Sequence, residues 1–316
     1  MVNETYFTVW HIVYATVMIP TVFGNGLILY SVAKFPRLRS NIHILIANLA
    51  FSDLIVGAVL IPTDMLSDIF GWKSKKYVCL ACLGFFVLSL GSSCFSLLLV
   101  SVERYIVICF PFRARTLLTK PKMVFMISFG WVLVAVNSTL PFYGVNTFTN
   151  SSAECVRNVV WPEAYQLYCD WILICGLIVT FTFYMIVVRI ALKKARMRNS
   201  IGGKTEYNVH TKAQTDLHHV ITMVIVLGTF VICWLPYVIL SFIVTFWDTP
   251  TFQFVKRCTL IPGLFNSAIN WLIYGYRNNE LRKAFRTILK CKFCNKDSNR
   301  PTSNAAAIYT SGNSVF

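Results

Sequence analysis

The sequence carries little charge for its length. Only 13% of the 316 residues are charged, whereas 56% are hydrophobic and 15% are aromatic. A soluble domain of this size needs far more charge to stay in solution. The scarcity of charge therefore excludes an ordinary soluble protein and indicates a membrane protein.

The sequence also lacks features that transporters, channels and enzymes require. The sequence lacks internal repeats, which removes support for an inverted-repeat transporter, and its apolar segments contain too few charges for an ion relay. A transporter or channel is therefore a disfavoured alternative. No catalytic triad or metal cluster with credible spacing is present, so we expect no enzyme activity and no cofactor.

Seven long apolar stretches are present instead. Each is long enough to cross about 30 Å of hydrocarbon at about 1.5 Å per helical residue, and continuous runs of this length are unlike barrel strands. The sequence therefore predicts an all-α membrane protein, a seven-transmembrane helix bundle. The stretches cover residues 8–33, 43–70, 77–109, 123–143, 165–192, 217–247 and 254–276.

The distribution of basic residues predicts the orientation. Of the 29 Lys and Arg residues, 23 lie at the ends of the first, third, fifth and seventh spans or in the segments that follow them. Because cytoplasmic loops are rich in Lys and Arg, we expect the N-terminus to be extracellular. We expect the protein itself to lie in the plasma membrane. The net charge of +16 then comes from basic residues on the cytoplasmic side, which orient the chain in the membrane. We therefore expect no nucleic-acid partner.

The chain is expected to divide into four regions. Residues 1–7 form an extracellular N-terminus, 8–276 the seven-transmembrane domain, 277–294 an amphipathic helix with palmitoylation sites, and 295–316 a disordered tail. Sequons predict glycosylation at Asn3 and Asn150. Cys291 and Cys294 are the predicted palmitoylation sites. The last residues, "NSVF", match the pattern that PDZ domains bind.

Six short sequence motifs occur, one in each of six spans. They are "GN" in span one, "LAFSD" in span two, "ERY" at the end of span three, Trp131 in span four, "CWLPY" in span six and "NSAINWLIY" in span seven. This ordered set resembles the rhodopsin-like (class A) G-protein-coupled receptors over residues 8–290. Within that family, stretches such as "WVLVAVNSTLPFYG" are most similar to adenosine receptors.

The resemblance implies an extracellular small-molecule ligand but argues against adenosine and amines. Ser241 and Leu264 stand where adenosine receptors carry ligand contacts, and Phe86 replaces the span-three aspartate of monoamine receptors. We therefore expect an unidentified small polar ligand, with buried charges as functional candidates. The predicted ligand contacts are Asp64, Phe86, Leu90, Arg157, Asn158, Asp170, Trp234, Tyr237, Ser241 and Leu264.

Two further sites follow from the resemblance. It implies a disulfide between Cys79 and Cys155 on the outer side. It also implies an allosteric sodium site, since a lone buried carboxylate needs a cation or a proton. A protonated Asp53 in a hydrogen-bond network is the alternative. The predicted sodium ligands are Asp53, Ser93, Asn266, Ser267 and Asn270.

The resemblance also implies coupling to a heterotrimeric G protein, with arrestin and receptor kinases as further partners. Arg104 is expected to bridge Glu103 and Asp216 in the resting state, and interfacial charges are the alternative reading. Asn270 and Tyr274 belong to the expected switch, although Trp271 replaces the proline of the family motif. A ligandless or constitutively active receptor remains an alternative.

Overall fold

The protein is described by a computed structural model covering residues 2–149, 155–200, 207–247 and 249–290. Side chains are described at 8–149, 155–193, 196, 220–247 and 249–290. Several predicted site residues are not among those whose side chains are described, so their roles stay predictions. These are Asn3, Asn150, Asp216, Cys291, Cys294 and the tail.

Eight helices account for most of the described chain, and the described residues contain no β-strand. The predicted all-α bundle is therefore confirmed. Short helical turns occupy Pro36–Leu38, Trp72–Ser74, Pro111–Leu117, Leu140–Tyr143 and Arg157–Val160. The longer helices are α1 (Val2–Lys34), α2 (Asn41–Ile69), α3 (Lys76–Cys109), α4 (Lys120–Thr139), α5 (Glu163–Ser200), α6 (Tyr207–Phe246), α7 (Pro250–Arg277) and α8 (Asn279–Leu289).

Helix lengths agree with a membrane bundle. Within the described residues, α1 to α6 each contain a segment long and apolar enough to cross a bilayer. Helix α7 does not meet the same criterion, because it carries Lys256 and Arg257 near its outer end and several amides further along. Its polar side chains face the bundle, as the burial of Asn266, Ser267 and Asn270 shows.

The helices pack as a closed ring around α3. Successive helices pack on one another except α4 and α5, which Tyr165 joins by donating to the Asn137 carbonyl at 2.7 Å; α1 contacts α7, and α3 touches α2, α4, α5 and α6. Polar side chains join the helices inside the ring. The Asn25 side chain donates to the Ser267 carbonyl at 3.0 Å, which joins α1 to α7. Asn48 accepts from Trp131 at 2.8 Å and donates to Ser96 at 2.6 Å, which joins α2, α3 and α4.

Helix α2 changes its winding halfway along. A π-helical turn at Val56–Leu60 separates the regular segments Asn41–Ile55 and Ile61–Ile69. Pro62 lies at the start of the outer segment and has no N–H to donate to the preceding turn. The wider turn accommodates this loss and rotates the outer half of α2, including Asp64, relative to the inner half.

Helix α8 docks against the inner end of the bundle. The Asn278 side chain accepts from the backbone N–H groups of Glu280 and Leu281, which caps the helix. Asn278 also contacts His43 of α2 at 3.2 Å. Leu281, Ala284 and Phe285 are buried, so one face of α8 packs on the bundle as its predicted amphipathic pattern requires.

Candidate functional site

A cavity of about 440 Å³ lies at the outer end of the bundle. Its walls come from α1, α2, α3 and α7, Tyr237 contributes from α6, and the loop before α5 forms part of the lining. None of the described residues of α4 or α5 lines it. The cavity has the size of a small-molecule pocket and lies on the side of the bundle away from α5.

The outer loop is tied to α3. Cys79 at the start of α3 is bonded to Cys155 of the loop, with the two sulfur atoms 2.02 Å apart. The turn Arg157–Val160 follows two residues later, and Val160 and Trp161 are buried against Cys79 and Leu80. This anchoring fixes where the Arg157 side chain enters the bundle.

Arg157 reaches down between α5 and α6. Its guanidinium is 2.5 Å from the Asp170 carboxylate, and it donates to the Ser241 hydroxyl at 2.7 Å. It also donates to the Gln166 carbonyl at 3.0 Å and lies 5.5 Å from the ring of Trp161. The side chains of Arg157 and Asp170 are only 8% and 4% exposed, so this is a buried ion pair.

The predicted ligand contacts divide into groups, and their role in binding stays a prediction. Asp170 and Ser241 are held by Arg157, and the Asn158 side chain accepts from Lys256 at 3.1 Å. Leu90 and Trp234 are buried in the core below the cavity. Phe86 packs on Trp234 with ring centres 6.0 Å apart. The contacts that line the cavity are Asp64, Phe86, Arg157, Tyr237 and Leu264.

The α2 wall of the cavity is acidic but partly neutralised. Lys73, in the turn after α2, lies 2.8 Å from Asp64 and 2.9 Å from Asp68. Gly71 adopts a left-handed backbone with φ of 65°, which turns the chain back toward these acids. Burial alone would lower the pKa of Lys73, but the charge of Asp64 and hydrogen bonds to both acids raise it above its ordinary value.

Several cavity residues were missed by sequence reasoning. Lys256 and Arg257 line the cavity from α7, and Trp10 and Tyr14 line it from α1. The sequence does contain a signal for the two cations, because they are adjacent at the outer start of an apolar span. The aromatic pair carries no comparable signal, since aromatic residues at helical spacing are common throughout this chain.

A second polar cluster lies deeper, between α2 and α7. Asn270 donates to the Asp53 carboxylate at 2.8 Å, and Ser267 interacts with the same carboxylate. Ser93, the predicted ligand from α3, is buried in the bundle. The second carboxylate oxygen of Asp53 and the amide oxygens of Asn266 and Asn270 are buried without a donor among the described residues. Oxygen atoms of this kind suit a hard cation.

The inner end of α3 holds the predicted switch. Arg104 and Glu103 form an ion pair of 2.7 Å, and their side chains are 8% and 4% exposed. The pair is therefore buried in the bundle, which does not match two charges snorkelling outward. Tyr274 is buried nearby in α7 and lines a small void with Leu97 and Met223.

Trp271 occupies the position where the family motif has proline. Its ring lies against Gly24 of α1, so close that a β-carbon on Gly24 would be 2.0 Å from the indole. Phe23 packs edge-on at 5.9 Å from the same ring. Gly24 and Trp271 are therefore fitted to each other, and the indole fills the α1–α7 interface.

Comparison with known families gives one match that covers most of the chain. The family model described as "7 transmembrane receptor (rhodopsin family)" matches residues 24–274. This range begins inside α1 and ends in α7, so the match spans the whole bundle.

Individual relatives are similar at a uniform, modest level. Trace amine-associated receptor 13c of Danio rerio is 27% identical over 92% of this chain and 88% of its own length. Adenosine receptor A2b of Gallus gallus is 27% identical over 88% of this chain and 87% of its own length. A D(1)-like dopamine receptor of Takifugu rubripes is 28% identical over 86% of this chain and 68% of its own length.

Proposed function

Because this chain belongs to the rhodopsin family of seven-transmembrane receptors, we propose that it binds an extracellular small polar ligand and activates a heterotrimeric G protein. It is a multi-pass membrane protein and a signalling receptor, not an enzyme. The cavity carries the ligand part of the proposal, since it lies at the outer end of the bundle and combines polar and apolar walls. The buried Glu103–Arg104 pair supports the coupling part.

Adenosine and monoamine ligands have little support. Relatives named for adenosine, trace amines and dopamine are equally similar to this chain within a few per cent, so identity singles out no ligand. Phe86 stands where the resemblance places an amine-binding acid, and Arg157 brings a positive charge to the same region. Because that charge is already paired with Asp170, neither group offers a counter-charge to a cationic ligand, and we propose a ligand of another class.

Orientation and location follow from the basic loops. The proposal places the N-terminus outside the cell and the receptor in the plasma membrane, because the inner side carries most of the Lys and Arg residues. Glycosylation, palmitoylation, arrestin, receptor kinases and a PDZ partner belong to the same proposal and rest on the sequence alone.

We also propose sodium as an allosteric ion. Asp53 would supply the charge, and the oxygen atoms of Ser93, Asn266, Ser267 and Asn270 would complete the site. The orphaned oxygens around Asp53 support this choice over a protonated carboxyl, because several acceptors without donors are better matched by a cation. When bound, the ion would neutralise a buried carboxylate and favour one packing of α2 against α7.

One observation favours a second candidate, a receptor that signals without a diffusible ligand. Arg157 fills the polar space between α5 and α6 and occupies the side chains that would otherwise be open to a ligand there. In this alternative the loop holds the receptor in a signalling state. Membership of the receptor family disfavours the transporter and channel alternatives.

A G-protein activation assay separates these candidates. Cells expressing the receptor would carry energy-transfer sensors for each G-protein class, and each would be tested with and without a metabolite panel. Ligand-dependent activation supports the first candidate, and high basal activation that no metabolite changes supports the second. Arg104→Ala at matched surface expression is the control, since it should abolish the signal. If no sensor responds above the vector control, the proposed function is wrong.

A further inference from the structure

The disulfide-bonded loop between α4 and α5 contacts the outer ends of four helices. The disulfide holds the loop to α3, and Arg157 contacts Asp170 of α5 and Ser241 of α6. The next residue, Asn158, accepts from Lys256 of α7 at 3.1 Å through its amide oxygen. The loop therefore joins α3, α5, α6 and α7 to one another on the outer side of the bundle.

Arg157 occupies the space between α5 and α6 as a bound guanidinium compound would. Its guanidinium pairs with Asp170 and donates to Ser241, and Tyr237 of α6 interacts with it as well. The site is buried, because the side chains of Arg157 and Asp170 are both less than a tenth exposed. A planar cation with several N–H donors suits such a set of acceptors. The loop thus supplies its own occupant for a site that two helices form.

The contact with α6 lies on the outer side of a proline. Pro236 lies inside α6, and a proline within a helix removes a backbone hydrogen bond and allows the helix to bend. Ser241 lies beyond this proline, so Arg157 fixes the outer segment of α6 to α5. On the inner side, the Tyr184 hydroxyl of α5 donates to the Val220 carbonyl of α6 at 2.7 Å. The two helices are therefore joined on both sides of the proline.

The inner switch is closed in the same arrangement. Arg104 is paired with Glu103 and buried in the bundle. The ring of Trp234 lies between the two levels of α6, since it packs against Tyr237 on the outer side and Phe230 on the inner side. The contacts of Arg157 therefore occur together with a buried switch arginine, which is the arrangement expected of the resting state.

We propose that Arg157 is a built-in restraint, a loop side chain that occupies the α5–α6 site and holds α6 in this closed arrangement. Contacts favour the arrangement that makes them, so their loss shifts the population toward open arrangements. This inference rests on the proposed function, because the restraint acts on G-protein coupling. It has the opposite sign to the candidate in which the loop holds the receptor in a signalling state.

The restraint is tested by replacing the missing guanidinium with a compound in solution. Arg157 lines the outer cavity, so in Arg157→Ala a small molecule can reach Asp170 and Ser241 through the space that the side chain leaves. The probe is ethylguanidine at millimolar concentration. Its controls are N-ethylurea, which is planar but uncharged, and ethylamine, which is charged but lacks the planar fork of donors.

Two measurements are made on the full-length receptor. Basal G-protein activation is measured in cells at matched surface expression, and hydrogen exchange is measured on purified receptor in lipid nanodiscs. Residues 220–234 report on the segment of α6 on the inner side of the proline. We expect Arg157→Ala to raise basal activation about threefold or more and to speed exchange in this segment. Ethylguanidine should reverse both effects, whereas N-ethylurea and ethylamine should not.

Two further variants control for folding and for charge. R157M/D170L leaves no unpaired charge buried, and it should show the same rise in activation and exchange without any response to ethylguanidine. If Arg157→Ala does not fold, the double variant decides the question in its place. Lys75→Ala removes an exposed cation of the outer face and should behave like wild type.

The proposal is overturned if basal activation and exchange are unchanged in both Arg157 variants. Lower basal activation in both variants also overturns it and supports the loop as an activator. Failure of ethylguanidine to reverse the effects of Arg157→Ala, or equal reversal by N-ethylurea or ethylamine, overturns it as well. Faster exchange that ethylguanidine reverses, without activation of any G protein in any variant, would keep the restraint and reject the proposed coupling.

Discussion

Removing the carboxylate of Asp170 should destabilise the receptor strongly. In Asp170→Asn the Arg157 guanidinium keeps its burial and its neutral partners, Ser241 and the Gln166 carbonyl, but loses its counter-charge. Breaking a buried pair by removing one partner costs about 3–5 kcal/mol, because the remaining charge is left in a poor solvent. Both side chains are less than a tenth exposed, so solvent screening reduces this figure little.

Removing both charges should cost much less. A buried ion pair replaced by apolar residues of similar size is often neutral in stability, since the desolvation of two charges is avoided. We therefore expect Arg157→Met combined with Asp170→Leu to be more stable than Asp170→Asn alone. The two changes would then show a coupling of a few kcal/mol in a double-mutant cycle.

The assay is thermal unfolding of purified receptor without added ligand. At about 2 °C per kcal/mol for a chain of this size, Asp170→Asn should lower the melting temperature by several degrees. Glu163→Gln is the control, because Glu163 is an exposed acid at the start of the same helix. The reasoning fails if Asp170→Asn melts like Glu163→Gln, or if the double variant melts below the single one.

Three other changes test other parts of the bundle. Gly24→Ala should lower the melting temperature more than Gly26→Ala, because an added β-carbon meets the indole of α7 only at the first position; equal melting would contradict this fit. Sodium chloride should raise the melting temperature relative to choline chloride, and Asp53→Asn should remove the difference; an identical response in both proteins would rule out the sodium site. Asp216→Asn should raise basal G-protein activation several-fold, because loss of the predicted Arg104–Asp216 contact, worth at least the roughly 1 kcal/mol of an exposed pair, shifts a two-state population that far; Arg104→Ala should abolish coupling. Equal signalling in these two variants at matched surface expression would refute the switch.

Much of the bundle could be predicted because its signals are local. An apolar run long enough to cross a bilayer must satisfy its own backbone, and only a helix does so within one segment. The helices accordingly begin and end within a few residues of most predicted spans, although α5 and α6 continue further at their inner ends. The first helix begins at Val2, inside the segment predicted as an extracellular N-terminus, because hydropathy detects the apolar part of a helix and not its polar end.

The candidate ligand site was only partly predictable. Asp64 was recognisable from sequence as a costly charge in an apolar span, and it does line the cavity. Asp170 was recognisable by the same rule but faces Arg157, because the loop between the two residues folds back into the bundle. The rule that a charge in an apolar span is functional does not distinguish a ligand contact from an internal ion pair. Either a ligand or an internal partner can offset the cost of burying the charge.

Hydrophobicity and charge, which act residue by residue, were enough to determine the membrane location, the number of helices and the expected orientation. The position of the cavity depended on contacts between residues far apart in the chain. Arg157 meets Ser241 across 84 positions, and Trp271 of α7 fits against Gly24 near the opposite end of the chain. Such contacts depend on how helices rotate and pack, and the π-helical turn in α2 shows that one local change redirects half a helix. Only the tertiary structure decides which polar groups pair with each other and which face the open cavity.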